Sequence, residues 1–183
     1  MRFLEGIESR NPQSICNQME AAGMDKKARY LLAAIRIGLG WIFFWAFLDK
    51  LFGLGRSTAP KDAWLAGGSP TAGFLGFATQ GPLAELYKSI AGSPVVDTLF
   101  MIGLLGLGVA LLLGIGLKIA GTAGPLMMLL MWSAQLPPAT NPLIDNHIIF
   151  ALLLMLFPAV KAGHTLGLGA WWAEKTRTAP ILQ

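Results

Sequence analysis

The sequence predicts an all-α integral membrane protein: a four-helix bundle with a long outer loop, carrying short helices, between its first and second spans. Three observations predict it. Of 183 residues, 54% are hydrophobic and only 13% charged, about half the roughly 25% usual in soluble domains. The charges collect between long apolar stretches, most of them near the ~20 residues that a helix needs to cross hydrocarbon. Lysine and arginine also divide unequally between the two sides that those stretches define. The same figures exclude an intrinsically disordered chain. Cys16 is the sole cysteine, which excludes a disulfide scaffold, a c-type haem and an all-cysteine iron–sulfur cluster. The net charge of +4 does not point to nucleic acid, because the basic residues are scattered among apolar segments and follow membrane topology.

Taken in order, residues 1–28 are expected to form an amphipathic segment along the cytoplasmic face. No apolar core follows Arg2, so they do not read as a signal peptide. Cys16 is expected to be a reduced thiol without a role. Residues 29–172 form the membrane domain. Its first span, about 30–49, runs from the Lys26, Lys27, Arg29 cluster to Asp49-Lys50 and is interrupted only by Arg36. Roughly 45 outer residues follow, too many for a plain turn. They contain Ser69-Pro70 and Gly81-Pro82, suited to start short helices, and Phe74, Leu75 and Phe77, apolar enough to lie in the membrane interface. This stretch is expected to cap the outer end of the bundle.

The second span, about 97–117, has no charge after Asp97, and the third, about 119–136, ends at Pro137-Pro138. The last apolar run, Ile148 to Val160, has only 13 residues. These rise about 20 Å against a core of roughly 30 Å. A fourth span over about 143–160 therefore has to begin near Leu143, which carries Asp145, Asn146 and His147 to the membrane edge. Residues 173–183 are expected to be a cytoplasmic tail, with Trp171-Trp172 as an interface anchor. Nine lysines and arginines fall on the side of the two termini and three on the other, which predicts a cell-membrane protein with both termini cytoplasmic. Small residues four apart, Gly106, Ala110 and Gly114 in the second span and Ala34 and Gly38 in the first, are expected to mark close helix contacts.

Ionisable groups in hydrocarbon are costly and raise functional questions. Arg36 has two readings: it snorkels to lipid phosphates, or it faces the bundle and holds an anion or a quinone carbonyl. Lys50 falls within about 40° of the same helix face. A stronger signal is convergence at one depth. Asp49, Lys50, Asp97, Gln135, Asp145, Asn146 and His147 all fall at the outer rim under this topology. Capping and anchoring explain part of this set, Asp97 above all. His147 is harder to assign to structure alone, because it lies inside the length that the fourth helix needs. A metal site is not expected, since His164 lies toward the opposite face. Trp41, Trp45 and Trp132 either stack on a flat ring or belong to interfacial belts.

Four phrases, in order and at similar spacing, carry a resemblance: RIGLGWIFFWAFLDKLFG, WLAGGSPTAGFLGF, NPLIDNHIIFALLL and GLGAWW. Together they resemble the DoxD family, the small membrane subunits of thiosulfate:quinone oxidoreductase, within the DoxX-like membrane proteins. The likeness runs from about residue 30 to residue 172. It implies a four-helix membrane fold and oxidation of thiosulfate to tetrathionate, with electrons passing to a membrane quinone and a second subunit, DoxA, alongside. Joining two thiosulfates releases two electrons, and reducing one quinone consumes two electrons and two protons, so no metal is required.

The residues expected to serve that chemistry are His147 with Asp145 and Asp49 as the proton-handling set. Lys50, Arg56, Ser69 and Asn146 are expected at the anionic substrate, aided by amides at Gly67-Gly68-Ser69. Arg36, Trp41, Trp45 and Gln135 are expected at the quinone. The expected partners are the lipid bilayer, a DoxA-like subunit and further copies of the chain. Two other classes stay open: a non-catalytic DoxX-like scaffold that docks a redox partner, and a small-solute carrier. The second and third spans offer almost no polar side chains below the rim, which argues against transport.

Overall fold

A computed structural model describes residues 24–138 and 141–182. The expected amphipathic amino-terminal segment, with Cys16, lies almost wholly outside the described residues. Those residues are all-helical, and three of the helices are long and apolar enough to cross a membrane.

Helix α1, Lys26–Phe52, starts where the Asp25 carboxylate accepts the Ala28 N–H at 2.6 Å. It runs through Asp49-Lys50 and stops at Gly53, whose φ of 67° lets its N–H turn back to the Asp49 carbonyl. A left-handed residue, not the charge pair, ends the helix. The segment after Gly53 then folds as two 3-10 turns, a π-helical turn at Phe74–Ala78 and a short helix α2, Ala84–Ser89. Helix α3, Pro94–Leu113, has proline in its first turn and ends at Gly114 (φ 73°). Helix α4, Leu117–Ala134, follows within three residues.

Helix α5, Asn146–Ala159, is capped by Asp145, which accepts the amides of His147 and Ile148 at 2.9 and 3.3 Å. Its 14 residues rise about 21 Å. The expected helical start near Leu143 is therefore corrected: Asn141 takes the amides of Leu143 and Ile144 in a turn, and the helix begins only after Asp145. A last helix α6, Gly169–Lys175, and a turn at Pro180–Leu182 close the chain. The tail does not run free there. The Trp172 indole N–H donates to the Leu182 carbonyl, and the turn packs on α4.

Helix α1 packs chiefly on α3 and α4 chiefly on α5, with lesser contacts joining the two pairs. Leu39, Phe43, Leu104, Leu111, Met128, Leu154 and Phe157 belong to the shared apolar core. Of the expected close approaches, Gly114 is one, since a Cβ there would lie 2.9 Å from the Gly163 Cα, but others differ. Gly38 and Gly106 face open space, whereas a Cβ on Gly108 would lie 2.8 Å from the Phe44 Cα, and one on Gly40 2.8 Å from the Leu111 Cβ. Spacing of small residues finds a glycine-bearing helix but does not choose its buried face; the large neighbours Leu39, Phe43, Leu104 and Leu111 choose it.

Candidate functional site

Chain direction places the end of α1, the start of α3, the end of α4 and the start of α5 at one end of the molecule, the rim. The turn between α3 and α4 and residues 160–182 lie at the other. Three carboxylates gather at the rim, two of them held by backbone and hydroxyl donors and the third by backbone amides and an imidazole. Asp49 is 1% exposed. It accepts the Arg56 amide at 3.1 Å, the Ser57 amide at 2.8 Å and the Ser57 hydroxyl at 2.7 Å. A buried carboxylate without such donors costs several kcal/mol, so the chain folds the loop back to supply them. Lys50, half buried beside it, has no close ion pair among the described residues. The Arg56 side chain is exposed.

Asp97 is also buried, and not through the capping role expected of it. Its carboxylate accepts the hydroxyl of Ser69 at 2.9 Å, the amide of Thr71 at 3.1 Å and the hydroxyl of Thr71. Ser69 is thereby occupied, and it also accepts the Ala72 amide at 3.0 Å. The amides of Gly67 and Gly68 donate to the carbonyls of Trp64 and Ala63. The expected anion cradle at Gly67-Gly68-Ser69 is therefore corrected: these groups close the loop on itself. Thr71 and Ser57 carry this architecture and were not singled out by sequence; the clustering of hydroxyl residues with Pro70 and Arg56 is the signal for them.

Asp145 differs. While one oxygen caps α5, the other lies 2.6 Å from Nδ1 of His147. The two side chains are 8% and 12% exposed. Asp145 thus fixes the imidazole with Nδ1–H toward the carboxylate. No described residue hydrogen-bonds to Nε2, so that nitrogen is the one open to a ligand. Beneath the pair, Phe150 meets Phe43 edge-on at 6.2 Å, which docks the start of α5 on α1. No hydrogen bond or ion pair among the described residues joins His147 or Asp145 to Asp49 or Lys50. Asn146 is exposed. The backbone of Gln135 pairs with Gln80, whose amide donates to the Ala134 carbonyl at 3.0 Å. Tyr87 and Ser133 share a 2.5 Å hydrogen bond nearby.

The other expected quinone residues lie elsewhere. Arg36 is 0% exposed and sits 13 residues before Asp49, about 20 Å along the helix. It does not snorkel; its guanidinium is sealed inside the protein. Nη1 donates to the carbonyls of Leu111 and, at 3.3 Å, Leu112; Nη2 donates to those of Thr165 at 3.3 Å and Leu166 at 2.8 Å. Two of these are orphan carbonyls of the last turn of α3, where the helix dipole also favours a cation. Trp41 and Trp45 stack on each other at 5.9 Å about half a turn from the buried Leu39–Phe43 face, and Trp41 is exposed. They point away from the interior. The Trp132 indole donates to the Leu143 carbonyl at 3.0 Å and fastens the loop before α5.

His164, at the opposite end, is partly buried and its Nδ1 finds no described partner. Burial, and then the charge of Lys161, lower its pKa below the ordinary histidine value. It is held neutral. The chain matches no protein-family model, no curated protein and no solved structure.

Proposed function

We propose that the chain is a four-span cell-membrane protein of the DoxD type, with both termini cytoplasmic, which couples thiosulfate oxidation to quinone reduction. Three membrane-length helices support the membrane part. The apolar α5, with exposed Leu143 and Ile144 ahead of it, supplies the fourth span. The nine-to-three division of cations sets the orientation.

The single observation that carries the redox reading is the His147–Asp145 pair, almost shielded from solvent at a helix start on the outer rim. Two thiosulfates form one S–S bond and give up two electrons. One quinone takes those electrons and two protons to become the quinol. His147, with Nδ1–H held on Asp145, would take up a proton at Nε2 from the aqueous phase and pass it to a quinone carbonyl, once for each of the two protons, with Asp145 stabilising the imidazolium formed on each uptake. Lys50 supplies positive charge at the rim for the dianion, with Arg56 reaching from the loop. Asp49 and Asp97 hold the cap that shields the site.

One specific observation favours the alternative, a scaffold that docks a redox partner: most rim polar groups are consumed by the chain's own loop, as at Asp49, Ser69 and Asp97. The experiment that separates the two readings is purification in detergent and extraction of any bound quinone. Its reduction is then followed optically on adding thiosulfate. Thiosulfate-dependent quinol formation is the expected result. Quinone that stays oxidised, with the DoxA-like subunit present or absent, favours the scaffold.

A further inference from the structure

The outer segment carries a short helix turned inside out. Along α2 and its two flanking residues, the exposed large apolar side chains are Leu83, Leu86 and Ile90, which fall within about 60° of one another around the axis. The buried position belongs to the small Ala84, while the exposed Glu85 and Lys88 lie on the side away from the apolar face and pair with each other at 3.3 Å. The neighbouring turn, Phe74–Ala78, packs on α2 and presents Phe77 at 92% exposure. A water-facing cap would reverse this arrangement, since burying one such side chain is worth about 1.5–3 kcal/mol.

The patch has a defined height. Three residues separate Ile90 from Pro94, where the 20-residue α3 begins, and 20 residues rise about 30 Å, the thickness of a bilayer core. The exposed face therefore lies within a turn of the edge of that slab. It is also continuous with apolar surface lower down. The Tyr87–Ser133 bond fixes α2 beside the end of α4, one turn beyond the exposed Leu129 and Leu130.

We infer that residues 74–90 form a monotopic element embedded in the headgroup–acyl boundary of the outer leaflet, with Phe77, Leu83, Leu86 and Ile90 as its lipid-facing side. The occupant of this surface is the bilayer itself. The inference rests on the membrane-spanning part of the proposed function and not on its redox part.

The test uses single cysteines in a Cys16→Ser background, labelled with an environment-sensitive fluorophore, in the full chain reconstituted into phosphatidylcholine vesicles. Phe77→Cys is the probe, the exposed Lys61→Cys the aqueous control, and Leu99→Cys on the exposed face of α3 the spanning control. Residue 77 should emit as in an apolar medium and be quenched several-fold more by lipid doxyl-labelled near the headgroup than by lipid labelled deep in the chain. Residue 61 should stay aqueous and residue 99 should be quenched. Quenching at 99 but aqueous emission at 77 overturns the inference alone. Aqueous emission at both overturns the membrane reading beneath it. Shielding at 77 without lipid quenching, accompanied by crosslinking between copies, assigns the patch to a second chain and also overturns the inference.

Discussion

The two ends of the molecule solve one problem, buried charge, with opposite signs. At the end opposite the rim a cation, Arg36, is held by carbonyls: Leu111 and Leu112 from α3, Thr165 and Leu166 from the loop after α5. At the rim, Asp49 and Asp97 are held by amides and hydroxyls of the 53–93 segment. Both arrangements staple a connection onto the helices, although the buried Nε–H of Arg36 has no partner among the described residues. Asp145 breaks the pattern. Its second oxygen goes to an imidazole whose other nitrogen has no described partner. Saturated charge is architecture; a charge with one open valence beside it is where chemistry can be sought.

The largest expected effect lies at the end opposite the rim. Arg36→Met should strip four carbonyls of their donor and cost on the order of 3 kcal/mol or more, read as a large fall in melting temperature in detergent. Arg36→Lys should recover only part of it, because an ammonium does not span both carbonyl pairs. Next comes helix packing. Gly108→Val should force α1 from α3 and cost about 1–3 kcal/mol, whereas Gly106→Ala, which meets open space, should leave the melting temperature within a degree or two.

A smaller effect is expected at the rim. Asp97→Asn removes the charge that three donors share, and about 1–2 kcal/mol of local stability with it. The expected readout is faster proteolysis within residues 69–93 with little change in global melting. Equal losses in both measurements would show that the cap and the helices unfold as one unit. The smallest effect concerns His164. Its folded pKa is depressed, so its contribution is full above the ordinary histidine pKa near 6.5. The contribution is lost as pH falls below that value, because the unfolded chain takes up the proton first. The drop in stability between pH 7.5 and 5 should be measurably smaller in His164→Gln than in the parent chain.

Much of the helical layout is legible in the sequence because hydrocarbon imposes length and apolarity on contiguous residues. The gaps between charges find α1, α3 and α4 to within a few residues. The ends slip where capping chemistry overrides charge: Gly53 and Gly114 stop helices that a charge count extends or cuts short, and Asp145 starts α5 three residues after the expected Leu143. The His147–Asp145 pairing is legible because it is local, two residues apart at a helix start. What is not legible depends on chain returning from afar. The partners of Arg36 lie 75 to 130 residues away, and those of Asp97 lie 26 and 28 residues back in an irregular loop. No periodicity encodes such meetings. For the same reason Trp41 and Trp45 are read as ring-stacking candidates until the positions of Leu39 and Phe43 turn them outward.

The most direct test is thiosulfate-driven quinone reduction by His147→Ala beside the parent protein, both reconstituted and matched for inserted amount and melting temperature. A proton donor at the acceptor carbonyl is worth about a hundredfold or more, so turnover should fall at least that far while quinone remains bound. Turnover equal to the parent's would contradict a role for the imidazole, and with it the claim that the rim is a redox site.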